Sequence, residues 1–220
     1  MSKSPASSTP MRFADLDAVT VDGFGTVVTL ADPVPALRDA LRELGIDRSS
    51  ARVASAFAAE GAHYRARSHL GSDQTSLARL RRECVGVFLA ELGASLKAEA
   101  FVEPFLGALR FEPVPGAVET IEHLRERRLR LALVANWDRS LHERLDELGL
   151  ASFFDAVITS AEAGAPKPNP RIFELALDRL GARPDRTLHV GDEPVDEEGA
   201  RAARLHFAPA PLATAFARWT

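Results

Sequence analysis

Short apolar or β-branched runs alternate with longer amphipathic segments along most of the chain. Strands are predicted at 18–21, 131–135, 156–159, 187–190 and 205–207, each bounded by polar or turn residues. Helical spacing of apolar positions is predicted at 116–128, 140–148, 170–180 and 195–204. Strands that alternate with helices of this length make a parallel sheet covered on both faces. One stretch departs from the alternation. From about residue 33 to 110 no strand is apparent, and four helical patterns follow one another at 34–44, 48–67, 74–92 and 96–109. Gly45 and Gly93 stand where the first and third patterns stop, as helix C-caps do. The Pro-rich FEPVPG at 111–116 marks the return to the sheet. The expected architecture is α/β: a doubly wound parallel sheet from 12–31 and 112–220, with an all-helical domain inserted at 32–111. The Ser/Pro-rich residues 1–11 are expected to be a flexible tail.

Composition narrows the function. The chain has 220 residues, with 27 Lys+Arg against 31 Asp+Glu and a net charge of −4. That balance argues against a nucleic-acid or anionic-membrane partner, which calls for a basic field. The positive charge is nearly all arginine; lysine occurs only at Lys3, Lys97 and Lys167. Cys84 is the single cysteine, so a disulfide framework and a thiolate metal cluster are both excluded, and its helical context predicts a packed thiol. The longest stretch free of Asp, Glu, Lys and Arg, 205–217, contains two prolines. A membrane span needs about 20 apolar residues. The first ten residues lack the apolar core of a signal peptide. A cytoplasmic protein is expected.

In an open parallel sheet, ligands bind beyond the carboxyl ends of the strands. Asp22-Gly23-Phe24-Gly25-Thr26 follows the first strand, and Asn136, Trp137 and Asp138 follow the second. Lys167 lies in the loop beyond the third. Gly191, Asp192 and then Asp196 follow the fourth. Carboxylates, an amide and a lysine thus converge on one edge of the sheet. Such carboxylates can hold a hard cation such as Mg²⁺ through oxygen, and one of them can act as a nucleophile. A lysine would neutralise the nucleophile and an anionic substrate. Glycines at 23 and 25 would let the backbone pass close to the reacting centre.

In these segments the sequence resembles the haloacid dehalogenase superfamily. The motifs are VDGFGT (21–26), VANWD (134–138), GAPKPNPRIF (164–173) and HVGDEPVDEEGA (189–200), in the order that family keeps them. The helical insertion looks like the family's mobile cap, and the core would be Rossmann-like. The resemblance implies that Asp22 is the nucleophile, that Asn136 orients the substrate and that Lys167 balances charge. It implies a Mg²⁺ site formed by Asp22, Asp192 and the backbone carbonyl of Phe24, with Asp196 supporting it directly or through water. Phe24, Thr26, Ala135 and Trp137 would border the substrate. In the helical insertion, the segment 63–69, with Tyr64 and Arg65, is the candidate for substrate contact. His189 reads as a core histidine.

Two positions depart from the family's phosphatase pattern. Phosphatases place a second Asp, the general acid and base, where this chain has Phe24. They carry Ser or Thr where it has Ala135. A general acid is typically worth 10²–10⁴-fold, so substrates with good leaving groups are favoured. The dehalogenases of the family also lack that Asp and carry an aromatic residue there. They receive the halide on an Arg early in the second cap helix, however, and 57–60 has none. They also work without metal, whereas Gly191-Asp192 is intact here. A small-molecule anionic substrate and Mg²⁺-dependent, phosphatase-type hydrolysis are therefore expected. Metal-free 2-haloacid dehalogenation and a degenerate, ligand-binding member are the alternatives. Neither the substrate nor the oligomeric state is legible.

Overall fold

The computed structural model describes residues 12–216, so the expected tail at 1–11 lies outside the described residues. The strands are β1 (Ala18–Val21), β2 (Val28–Leu30), β3 (Phe111–Pro113), β4 (Arg130–Ala135), β5 (Ala156–Thr159), β6 (Thr187–Gly191) and β7 (His206–Pro209). Five of them form one sheet in the order β5-β4-β1-β6-β7. Every pairing in it is parallel. The chain winds outward from β1 in both directions, which creates a switch point at the carboxyl end of the central strand.

The sheet is buried on both faces, and strand periodicity divides its side chains between two clusters. Val19, Val21, Leu131, Leu133, Leu188 and Val190 join one. Ala18, Ala132 and Val134 join the other. The first face is covered by α5 (Ala117–Glu126), α6 (Leu141–Glu147) and α10 (Leu212–Ala215). The second is covered by α7 (Ser160–Ala163), α8 (Arg171–Leu180) and α9 (Pro194–Ala202).

Between β2 and β3 the chain is helical: α1 (Val34–Glu43), α2 (Ser50–Arg67), α3 (Gln74–Leu92) and α4 (Val102–Ala108). These helices have their own core, drawn entirely from residues 37–108. Phe88 is its centre. It stacks on Phe101 with ring centroids 5.9 Å apart and meets Phe105 edge-on at 5.1 Å. Full burial of each such ring contributes roughly 1.5–3 kcal/mol. Gly45 and Gly93 take positive φ at the two helix ends where they were expected.

Two local features differ from the pattern-based expectation. The helix predicted at 96–109 is interrupted: a 3-10 turn spans Ala98–Ala100, and α4 begins only at Val102. Pro104 explains the break. Proline lacks an N–H and fits a helix only in its first turn, so the helix must start just ahead of it. The second difference is the antiparallel pair β2·β3, with Val28 opposite Pro113 and Leu30 opposite Phe111. Three residues per strand are too few to show an alternation. The pair exists because the two ends of the helical segment meet there.

Among the described residues no helix is long and apolar enough to cross a membrane.

Candidate functional site

The register of the sheet assembles the site. Val21 lies opposite Leu133 on one side and Val190 on the other. The next residue, Asp22, therefore sits between the carboxyl ends of β4 and β6. Its backbone N–H donates to Val190 at 2.8 Å, and its side chain is buried. Lys167 arrives from the loop between α7 and α8. Its ammonium donates to Asp22 Oδ1, to Asp196 Oδ1 at 2.6 Å and to the Val134 carbonyl at 3.1 Å. With Lys167 and Asp196 only 4% and 1% exposed, this is a dry ion cluster.

Asn136 fixes that lysine. Its Oδ1 accepts from the Lys167 N–H at 2.7 Å, and its Nδ2 donates to the Lys167 carbonyl at 3.2 Å. The amide expected to orient a substrate thus spends both its polar atoms on the loop that carries the lysine. Asp196 has a similar second commitment. Its Oδ1 lies 3.2 Å from His189 Nε2, whose Nδ1 lies 2.9 Å from the Thr20 hydroxyl. Its Oδ2 accepts from the Glu193 N–H at 3.0 Å and caps α9. His189 is buried edge-on against Phe173, the core position expected of it, and it also holds Asp196 behind the lysine.

Burial and charge set the protonation states. Burial raises Asp22 to about 7; Asp196 and Asp192 push the same way, and Lys167 pulls it back. Burial alone would lower Lys167, but Asp22 and Asp196 outweigh it and hold the ammonium above its usual value. Burial also works against an ionised Asp196. There the His189 hydrogen bond and the Lys167 charge prevail and keep the carboxyl well below the usual carboxylate range. Burial lowers His189, with Lys167 acting in the same direction.

Asp192 is exposed, yet Asp22, Asp192 and Asp196 each offer an oxygen within 4.8 Å of the others. The backbone makes room for it. Gly25 has φ of +88°, and a Cβ there would overlap the Asp192 carboxylate. Thr26 is buried, and its hydroxyl donates to Asp192 Oδ1 at 3.3 Å. It faces this carboxylate and is not in the wall of the cavity described next. Three clustered carboxylates with a lysine behind them are an all-oxygen donor set of the kind a hard cation takes.

A cavity of about 320 Å³ opens over Asp22 and Lys167 and extends up between the sheet edge and the helical segment. Ala135 lines its floor with a methyl and no hydroxyl. Trp137, 7% exposed, lines it beside Phe111, with ring centroids 5.3 Å apart. Phe24 lines it too, 50% exposed and 6.3 Å from the Trp137 ring. Of the segment expected to touch substrate, Tyr64 and Arg65 reach the cavity. Ser68 packs instead against the Ser160 hydroxyl at 3.4 Å. The Tyr64 hydroxyl donates to Asp138 Oδ2 at 2.9 Å, tying α2 to the end of β4. Burial, then the Asp138 charge, raises the Tyr64 phenol well above its ordinary value.

Two lining residues, Asp138 and Glu60, were assigned no role from the sequence. Asp138 closes the VANWD motif and accepts from the Ser140 N–H at 2.7 Å at the start of α6. Glu60 lies on the buried stripe of α2, after Val53 and Ala56. A carboxylate at an apolar position of the helical repeat was the signal available for it. Cys84 is buried on α3, and burial pushes its thiol well above the usual range, as a packed cysteine requires.

Residues 16–204 match the model of the haloacid dehalogenase-like hydrolases. Human haloacid dehalogenase-like hydrolase domain-containing protein 3 is 42% identical over 110 residues, which is 50% of this chain and 44% of that protein. A phosphoserine phosphatase of Thermus thermophilus is 40% identical over 115 residues, 51% of this chain and 45% of that protein. The chain thus matches somewhat less than half the length of these curated relatives. Among solved structures, the L-2-haloacid dehalogenase of Xanthobacter autotrophicus superimposes with a TM-score of 0.66 at 24% identity, covering 89% of this chain and 77% of that one. At that identity the likeness concerns the fold.

Proposed function

The chain belongs to the haloacid dehalogenase-like hydrolases, and from that premise we propose that it hydrolyses a small-molecule phosphate ester or anhydride with a good leaving group. The observation that carries this reading is the Lys167 ammonium bridging Asp22 and Asp196 at the floor of the cavity, with Asp192 within reach. The phosphatase names among its relatives support it.

In this reading Asp22 attacks phosphorus. A bond forms from its carboxylate oxygen as the bond to the leaving oxygen breaks, giving an aspartyl phosphate. Water then cleaves that intermediate, releasing inorganic phosphate and restoring Asp22. Lys167 holds the attacking carboxylate in place and offsets the negative charge that gathers around it. Asn136 acts through Lys167 by fixing its backbone. Asp22, Asp192 and the Phe24 carbonyl would hold Mg²⁺, with Asp196 behind them. When bound, the ion draws charge from the phosphoryl oxygens and favours the ionised form of Asp22. The helical segment at 32–111 serves as a cap that closes the cavity over the substrate, with Trp137, Phe24, Tyr64 and Arg65 on its walls.

The reading is tested by assaying aryl phosphates, acyl phosphates and 2-haloacids, each with Mg²⁺ and with EDTA. Phosphate release that EDTA abolishes is the expected result. Halide release that survives EDTA would establish the dehalogenase instead. No turnover of any of them would leave a ligand-binding member. The metal site has its own measurement. Asp192→Ala is expected to weaken Mg²⁺ binding roughly 10-fold or more by calorimetry, and Asp196→Asn to weaken it less. Unchanged affinity in Asp192→Ala would move the metal elsewhere.

A further inference from the structure

Glu60 stands apart from the catalytic cluster. It sits on the buried stripe of α2, 7% exposed, and among the described residues no lysine or arginine forms an ion pair with it. It lines the same cavity as Asp22 but on the wall contributed by the helical segment, amid Phe57, Leu80, Val85 and Phe105. A lone carboxylate in an apolar wall costs folding free energy unless something pairs with it. Here the Cys84 thiol hydrogen-bonds it, a neutral partner that leaves the charge uncompensated. We propose that Glu60 binds a protonated amine on the leaving group of the substrate, so that the cavity takes an apolar phosphate ester with a cationic tip.

Three features support this assignment. Burial raises the Glu60 carboxyl to about 7, with only the Cys84 thiol and then Arg65 pulling it down, so an arriving cation finds a group poised to ionise. The walls between Glu60 and Asp22 are largely aliphatic and aromatic, which suits a hydrophobic body between two polar ends. The volume of about 320 Å³ accommodates a phosphoryl group and one ring. Arg65 and Arg81 also line the cavity, so an anionic tip is the rival ligand. The assignment rests on Asp22 marking the phosphoryl end.

Calorimetry in Mg²⁺ with three non-hydrolysable probes tests it: 4-(aminomethyl)benzylphosphonate, 4-methylbenzylphosphonate and 4-carboxybenzylphosphonate. The amine is expected to bind the wild-type protein roughly 10-fold or more tightly than the methyl compound, as a charged hydrogen bond does. In Glu60→Gln that preference should fall below about threefold, the loss expected when the ion pair is reduced to a neutral hydrogen bond. Glu60→Leu, which continues the apolar wall, repeats the test if the Gln protein melts early. Equal binding of amine and methyl probes overturns the proposal. So does tightest binding of the carboxylate, no binding of any probe, or a preference that survives in both variants. Hydrolysis of phenyl phosphate by the wild-type protein separates the two readings: turnover without amine preference sinks this proposal and leaves the phosphatase standing.

Discussion

Asp22→Asn is expected to lower any hydrolysis by roughly 10³-fold or more, about 4 kcal/mol of transition-state stabilisation. The buried carboxylate between β4 and β6 is the group at the cavity floor placed to attack, and an amide cannot replace it as a nucleophile. The fold should survive. Lys167 keeps Asp196 and the Val134 carbonyl, and a neutral side chain at 22 relieves the crowding of three carboxylates. Kinetics with a melting curve check both halves. A variant that melts normally and keeps more than a tenth of the activity would remove Asp22 from the nucleophile role.

The reason this residue was legible in the sequence is topological. Asp22, Asn136, Lys167 and Asp192 each follow a strand or lie in the loop beyond one, and a doubly wound sheet brings those points to one edge. The central strands β1, β4 and β6 were legible because each is a mostly apolar run buried on both faces. What stayed hidden depends on side-chain direction and on contacts between distant segments. Nothing local says that Asn136 points at the Lys167 backbone, or that His189 holds Asp196, because both follow from how loops pack once the sheet has formed. The β2·β3 pair was invisible for a related reason, since its two three-residue strands are separated by the whole helical segment. Glu60 was obscured by its surroundings. In the α2 sequence it reads as one charge among arginines, although its spacing from Val53 and Ala56 places it on the buried stripe.

Phe24→Asp is expected to raise turnover of alkyl phosphates by roughly 10²-fold or more, the usual worth of a placed general acid. Phe24 lies two residues beyond Asp22 and lines the same cavity, yet it has no proton to give. An alkoxide leaving without a proton is a poor leaving group, so the wild-type rate should fall steeply as the leaving-group pKa rises. A carboxyl at 24 would supply the proton where the ring now stands. Aryl phosphates, whose leaving oxygen tolerates negative charge, should gain far less. That difference separates proton donation from a general change in binding. The substitution is also structurally mild. Phe24 is 50% exposed and its ring centroid lies 6.3 Å from that of Trp137, so the stability cost should stay below about 1 kcal/mol. The measurement is kcat/KM for a series of phosphate esters of graded leaving-group pKa, in both proteins, with melting temperatures alongside. A flatter dependence in the variant, with the gain concentrated on alkyl esters, is the expected result. A folded variant with no gain on alkyl esters would mean that leaving-group protonation does not limit the reaction. Metal-free displacement at carbon, which needs no such proton, would then account better for an aromatic residue at this position.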